Sequence, residues 1–173
     1  MSRRLLLGFC IIATLASTLY PQAATKQLYR AAHGTWTVTC LQSLVDNHRE
    51  CGLYAAAPGR NFLAATKLLV TLSSQNKTQP PEIEIKEPML PLSSFIFKVD
   101  DRDPYTVRCP TQRSGACIFL GADSNQVISS WRGGNRLIIR LTGMDGRPYD
   151  FLFSLADFNQ ALDDFVTQSG VYL

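Results

Sequence analysis

The chain has 173 residues, with 17 lysines and arginines against 14 aspartates and glutamates and a formal net charge of +3 at pH 7. Because Arg3 and Arg4 lie in the first segment, the remainder carries a net charge of only +1. Such a chain lacks the positive charge that drives non-specific binding to phosphates, which excludes a nucleic-acid-binding function. No basic cluster follows the first segment, so electrostatic attachment to a membrane surface has no support either.

The first 24 residues have the organisation of a secretory signal peptide. Arg3 and Arg4 precede an apolar run from Leu5 to Ala16, and the small pair Ala23-Ala24 follows. This run of about 12 residues is too short to cross a bilayer, which needs about 20. We predict cleavage after Ala24, which leaves residues 25–173 as one β domain, and an uncleaved N-terminal anchor is the alternative.

Alternation of apolar and polar residues with a period of two dominates the rest of the chain. The predicted strands cover residues 35–40, 51–57, 62–73, 82–86, 93–99, 105–109, 117–119, 137–141 and 149–155. Pro58-Gly59 is predicted to end the second strand, and Asp145-Gly146 marks a hairpin turn. Residues 128–131 fit a short strand and a turn of helix equally well.

One helix is predicted near the C-terminus. Ser154 is the predicted N-cap, and Asp157 three residues later favours the helix start. An apolar stripe then follows at helical spacing, formed by Phe158, Ala161, Leu162 and Phe165. The sequence therefore predicts a mainly β fold, a single-domain β-sandwich or partly open barrel with one C-terminal amphipathic helix.

Four cysteines beyond the signal segment form two close pairs and allow three disulfide connectivities. We predict the local bonds Cys40–Cys51 and Cys109–Cys117, because each closes a short loop between neighbouring strands. Each is expected to stabilise the fold by ~2–3 kcal/mol. A redox-active or zinc-binding pair requires Cys-x-x-Cys or zinc-finger spacing, which is absent here. The pattern is typical of an exported protein with structural disulfides.

Several motifs form an ordered set over residues 33–165. They are His33–Cys40, Glu50–Leu53, Pro91–Asp100, Tyr105–Cys109 with Gly115–Cys117, and Ser154–Leu162. In this order they resemble the invasion-associated locus B family of bacterial envelope proteins. The resemblance implies a mostly β fold, a periplasmic or secreted location in the Gram-negative envelope, and a link to host-cell interaction or invasion. It supplies no catalytic residue.

Histidine occurs only at His33, beside Trp36, and at His48, between Asp46 and Glu50. A catalytic histidine needs a nucleophile and an orienting carboxylate in space. Because His48 lies on a short loop that a disulfide closes, its position is only a weak functional hint. No catalytic residue is predicted.

Clustered carboxylates are predicted to be solvated. Asp100, Asp101 and Asp103 lie in a turn where calcium is the alternative, since hard cations prefer such groups, but their spacing differs from the EF-hand pattern. Asp163 and Asp164 are predicted to face solvent on the helix. No metal or other cofactor is expected.

The candidate surface or pocket residues are His33, Trp36, Trp131 and Arg132. Gly133-Gly134 can present backbone N–H groups to an anion, but a phosphate loop needs a Lys-Ser/Thr that is missing, so a plain turn is preferred. A set of aromatic residues can line an apolar ligand pocket, although core packing is preferred. The set comprises Phe95, Phe97, Tyr149, Phe151 and Phe153.

Export, the disulfides and the lack of a catalytic constellation predict a non-enzymatic interaction module that presents loops or an edge strand. The expected partner is another envelope or host protein, with no nucleic acid and no membrane-spanning segment in residues 25–173. The alternatives are a periplasmic hydrolase with an unrecognised site and a small apolar ligand-binding protein. A cavity that contains His33 or His48 beside a carboxylate would favour the hydrolase.

Overall fold

The computed structural model describes residues 24–60, 67–74, 79–87, 93–113, 115–142 and 146–173. The predicted signal peptide, up to residue 23, lies outside the described residues, as do the first residues of the strand predicted over 62–73. Within these ranges the strands are β1 (Thr25–His33), β2 (Trp36–Ser43), β3 (Arg49–Arg60), β4 (Lys67–Ser73), β5 (Glu82–Lys86), β6 (Ser94–Val99), β7 (Tyr105–Arg108), β8 (Thr111–Arg113), β9 (Ala116–Phe119), β10 (Arg136–Thr142) and β11 (Pro148–Ser154). The helices are α1 (Gly121–Trp131) and α2 (Phe158–Ser169).

The strands form two antiparallel sheets. Sheet A has the order β1-β2-β3-β4-β5-β9-β8, and sheet B has the order β7-β6-β10-β11. The end of β3 joins the two, because Gly59 and Arg60 pair with β11 after Pro58 has paired with β4. The prediction that Pro58-Gly59 ends this strand is therefore wrong. A strand that passes from one sheet to the other must bend, and these residues lie at that passage.

The alternating apolar residues face the space between the sheets. Ile83 and Ile85 of β5 are fully buried, and the inward residues of β10 and β11 are also buried. Phe95 of β6 and Phe119 of β9 bring the two sheets into contact, with 6.1 Å between ring centroids. The predicted sandwich, left open at its edges, is confirmed.

Helix α2 covers β1, β2 and β3, and the predicted apolar stripe is fully buried. Its start differs from the prediction, because Ser154 pairs with Arg136 as the last residue of β11. The helix begins at Phe158, and Asp157 occupies the N-cap position without a side-chain capping bond. The Asp157 carboxylate instead lies against Gly34, which has a φ of 58° and no Cβ to obstruct it. The undecided segment 128–131 is the end of α1.

Both predicted disulfides are confirmed. Cys40 and Cys51 lie opposite each other in β2 and β3, with 4.0 Å between Cα atoms. Cys109–Cys117 spans 5.6 Å between Cα atoms and links the residue after β7 in sheet B to β9 in sheet A. These two strands are not hydrogen-bonded neighbours, because β8, which was not predicted, pairs with β9. The second bond therefore ties the two sheets together.

Candidate functional site

The four candidate surface or pocket residues do not form one surface. Trp36 and Trp131 have no exposed area and lie in the core, with 6.4 Å between ring centroids. The indole Nε1 of Trp36 donates to the backbone oxygen of Ser154 at 2.7 Å. Arg132 is exposed after the end of α1, and His33 lies opposite Trp36 on β1.

His33 belongs instead to a polar cluster between β1 and α2. The Asp164 carboxylate accepts a hydrogen bond from Tyr29 Oη at 2.9 Å and lies 2.9 Å from His33 Nε2. The side chains of His33 and Asp164 are 14% and 16% exposed. The hydrogen bond to this carboxylate raises the pKa of Tyr29. The prediction of a solvated Asp164 is therefore wrong, although Asp163 is exposed as expected.

This cluster fastens β1 to α2, and nothing in its geometry indicates a catalytic site. Neither of the two cavities described below is lined by His33, His48 or Asp164. The loop around His48 is an ordinary turn, in which the Asp46 carboxylate accepts the His48 backbone N–H at 3.2 Å. Hydrogen bonds from the Ser43 side chain and the His48 backbone lower the pKa of Asp46.

Asp100 is a structural residue that joins two turns. Its carboxylate accepts the backbone N–H groups of Asn135 at 3.0 Å and Arg136 at 2.9 Å. The backbone N–H groups that follow Gly133-Gly134 therefore bind a carboxylate of the same chain. Asp101 is fully solvated. Among the residues that the structure describes, no three histidine, cysteine or acidic side chains are grouped to hold a metal ion.

A cleft of about 250 Å³ lies between β7 and α1. Its lining residues are Tyr105, Thr106, Val107, Arg108, Pro110, Phe119, Asp123, Gln126 and Val127. Four consecutive residues of β7 contribute, so the cleft follows the edge of the strand and not only one of its faces. Phe119 and Val127 are buried and form an apolar floor, while Arg108 and Asp123 are exposed at the walls.

The backbone of β7 faces this cleft with groups that β6 does not use. The backbone N–H of Cys109 donates to Ser93 O at 3.0 Å, and paired residues in an antiparallel ladder alternate between bonded and non-bonded. Val107 and Tyr105 therefore direct their backbone groups to β6. Thr106 and Arg108 direct their N–H and C=O groups outward, to the open edge.

Two links connect β7 to the elements around the cleft. At one end the Tyr105 hydroxyl lies 2.5 Å from Ser130 Oγ on α1, and Arg102 donates to the Ser130 backbone oxygen at 3.1 Å. Burial raises the pKa of Tyr105. At the other end the Cys109–Cys117 bond joins β7 to β9. The sequence pattern predicted neither α1 nor β8, and this cleft was therefore not predicted.

A second, shallower groove crosses the outer face of sheet A above Gly52, with a volume of about 260 Å³. Leu41 and Tyr54 form its apolar walls, and Glu50 lies at its margin. The groove exists because the glycine leaves a gap in the row of side chains. No helix among the described residues is long and apolar enough to span a membrane.

The comparisons with known proteins identify a likeness of fold. No protein-family model and no curated protein matches the sequence. Among solved structures, the crystal structure of invasion associated protein B from Bartonella henselae is similar, with a TM-score of 0.54 and 14% sequence identity. The match covers 81% of this chain and 96% of that chain. At this identity it shows a shared fold and nothing finer.

Proposed function

We propose that this chain is an exported, non-enzymatic interaction module of the Gram-negative envelope, periplasmic or secreted. Two disulfides suit an oxidising compartment outside the cytoplasm. The leader-like residues 1–24 support the same location, and the fold likeness is to a protein named as invasion associated. A role in host-cell interaction, with another envelope or host protein as partner, is part of the proposal.

The observation that carries the proposal is the cleft beside β7. Its outward backbone groups, at Thr106 and Arg108, are spaced to pair with an extended segment of a partner, which would add a strand to sheet B. The apolar floor of Phe119 and Val127, with Val107 beside it, would take a side chain of that segment. Because a disulfide fixes β7 beside the floor, little order is lost when the segment binds.

Arg108 gives the segment a preferred chemistry. Its guanidinium is exposed at the wall of the cleft and makes no ion pair among the described residues. A carboxylate on the residue next to the buried apolar side chain would reach it, because neighbouring residues of a strand point to opposite faces and Arg108 directly follows Val107. The proposed ligand is therefore an extended peptide with an apolar anchor and a nearby acidic residue.

Peptide display against the purified, oxidised protein tests this proposal. Enriched peptides should share the apolar anchor and acidic residue, and backbone N-methylation should abolish binding only at alternate positions. Gln126→Trp fills the cleft from an exposed position on α1, so it should lower the affinity at least tenfold. Gln160→Trp, on the exposed face of α2, is the matched control.

Two results would contradict the proposal. One is unchanged peptide binding by Gln126→Trp, which would place the binding surface elsewhere. The other is equal loss at every N-methylated position, because pairing along a strand edge uses only alternate N–H groups.

A further inference from the structure

The two disulfides differ in how closely a solvent molecule can approach them. Cys40 and Cys51 are 0% and 1% exposed and lie in the core, on the strands that α2 covers. Cys117 is also fully buried, but its partner Cys109 is only half-buried and packs at the margin of the core. A thiolate breaks a disulfide by attacking one of the two sulfurs, so the rate depends on access. The second bond therefore offers an approach through Cys109 that the first bond lacks.

The chain on both sides of Cys109 is open to solvent. Arg108 precedes it, Pro110 and Thr111 follow it, and all three are exposed. The sulfur of Cys109 lies 3.2 Å from Thr111 O, where the chain passes from β7 to β8. Because a sulfur in a disulfide carries no hydrogen, this contact becomes a weak hydrogen bond only after reduction. The thiol form of Cys109 thus has an acceptor already in place.

The buried end of the bond tolerates reduction. Cys117 pairs with Ile85 of β5 on one side and with Gln112 of β8 on the other, so strand pairing fixes its position without the sulfur bond. A free cysteine in the core packs as a small apolar residue. We therefore expect sheet A to keep its order when the bond is broken, and the loss to be confined to its link with sheet B.

Reduction removes one of the two links that hold β7. The Tyr105 hydroxyl still contacts Ser130 of α1, and β7 still pairs with β6, up to the hydrogen bond from Cys109 N to Ser93 O. That ladder has only four residue pairs, and no residue of β7 is buried. Segments with few buried contacts and exposed backbone hydrogen bonds open most readily. The end of β7 at Arg108 is thus the part that loses its constraint.

We propose that Cys109–Cys117 is a redox switch for the cleft beside β7. The reductant is a protein dithiol of low reduction potential, whose thiolate attacks the Cys109 sulfur, forms a mixed disulfide there and releases Cys117, which takes up a proton. The second thiol of the reductant then attacks its own sulfur in the mixed disulfide and frees Cys109 as a thiol. Two electrons pass to this protein, and the reductant leaves as a disulfide. In the reduced form the end of β7 loosens, and the affinity for an extended peptide falls.

The spacing of the cysteines is compatible with this role. Cys-x-x-Cys pairs belong to proteins that exchange electrons with the disulfides of others, which is not the role proposed here. A disulfide that is itself reduced needs access for the reductant and a structural consequence, and Cys109–Cys117 has both. Cys40–Cys51 joins two strands that are already paired in a ladder, so it serves as the internal reference.

Reduction of the exported protein with dithiothreitol tests the switch. Samples are quenched in acid and labelled with N-ethylmaleimide in denaturant, so that burial does not hide a freed thiol, and peptide mapping assigns each label. Cys109 and Cys117 should become labelled at least tenfold faster than Cys40 and Cys51. Amide exchange at residues 107–109 should rise over the same time, while circular dichroism of the strands stays unchanged. Equal labelling of the two bonds, or unchanged exchange after selective reduction, would overturn the proposal.

Two variants separate the contributions of the two bonds. Cys40→Ala/Cys51→Ala retains the switch and should show the full rise in exchange with dithiothreitol. Cys109→Ala/Cys117→Ala should show fast exchange at residues 107–109 with or without the reagent. A response to dithiothreitol in this second variant would contradict the assignment of the switch to Cys109–Cys117.

The effect on binding rests on the proposed function. A display-selected peptide should bind the selectively reduced protein at least tenfold more weakly than the oxidised protein, and reoxidation should restore its affinity. Unchanged affinity would overturn the switch but leave the cleft as the binding surface. Absence of peptide binding by the oxidised protein would contradict the proposed function instead. Labelling and exchange need no peptide, so the two failures are distinguishable.

Discussion

The sandwich is closed on its α2 side by packing and on its β7 side by a covalent bond. On the α2 side, Trp36 and the apolar stripe of α2 are fully buried, and Cys40–Cys51 is buried with them. On the β7 side, no residue of β7 is buried, and Cys109–Cys117 holds the sheets together. The bond holds β7 without burying it, which leaves a strand edge open beside the cleft.

The difference explains where a binding surface can exist. On the α2 side, the apolar side chains of α2 fill the space beside β2 and β3. A disulfide constrains two strands with few atoms and leaves the strand edge uncovered. We therefore expect mutations on the α2 side to affect stability and those on the β7 side to affect binding.

The largest expected effect is on the α2 side. Trp36→Ala removes a ring that lies 4.9 Å from Phe158 and 6.3 Å from Phe153 between centroids, and it leaves Ser154 O without its donor. We expect a loss of ~3–5 kcal/mol in the free energy of unfolding, measured in urea under oxidising conditions.

Val107→Ala on the β7 side is the comparison variant. Val107 is only half-buried, so its truncation should cost ~1 kcal/mol or less. Equal losses for Val107→Ala and Trp36→Ala would show that the β7 side is held by packing too.

The two disulfides should have similar effects on stability and different effects on local opening. The bonded cysteines are 11 and 8 residues apart in the sequence. For such loops the loop-entropy model gives a stabilisation of ~2–3 kcal/mol for each bond. Cys40→Ala/Cys51→Ala leaves β2 and β3 hydrogen-bonded. Cys109→Ala/Cys117→Ala removes the link between sheets, so only this variant should accelerate amide exchange around β7 and weaken peptide binding.

A contrary result is easily recognised. Faster exchange around β7 in Cys40→Ala/Cys51→Ala, at equal global stability, would mean that the first bond also holds the cleft. Unchanged peptide binding by Cys109→Ala/Cys117→Ala would mean that the second bond does not.

The Asp164 cluster contributes less to stability than Trp36. Asp164→Ala leaves the hydroxyl of Tyr29 and the ring of His33 without their acceptor, at a partly buried site. We expect a loss of ~1–2 kcal/mol in the free energy of unfolding. Asp163→Ala, at the exposed neighbouring position, should change it by less than ~0.5 kcal/mol.

Sequence patterns predicted the parts of the fold that alternation specifies. β5, β10 and β11 have an apolar residue at every second position, and these inward sets are buried as expected. β1 and β8 were missed for the opposite reason. β1 has a register shift between Gln27 and Tyr29, and all residues of β8 are exposed, so neither has a regular apolar face.

The cleft and the Asp164 cluster could not be predicted from the sequence because their contacts are long-range. α1 buries Ser124, whose hydroxyl donates to Pro81 O, a partner 43 residues away. Asp164 meets Tyr29 across 135 residues. Asp164 was predicted to face solvent because the sequence does not show that a polar residue on a helix has a partner so distant in the chain.

The smallest expected effect is a change in the pKa of one tyrosine, and it distinguishes the α2 side from the β7 side. The hydrogen bond to the Asp164 carboxylate raises the pKa of Tyr29, whereas burial raises that of Tyr105. Asp164→Asn removes the negative charge, so the pKa of Tyr29 should fall towards its ordinary value of about 10 while that of Tyr105 stays unchanged.

The sign for stability follows from the same shift. A raised pKa in the folded state means that the Tyr29 contribution is fully present below pH ~10 and is lost as the pH rises through the raised value. Phenolate absorbance during an alkaline titration measures the tyrosine pKa values, and Tyr29→Phe and Tyr105→Phe assign the two transitions. An equal shift of both tyrosine pKa values in Asp164→Asn would mean that the α2 side and the β7 side are electrostatically coupled. It would contradict the independence of the two sides.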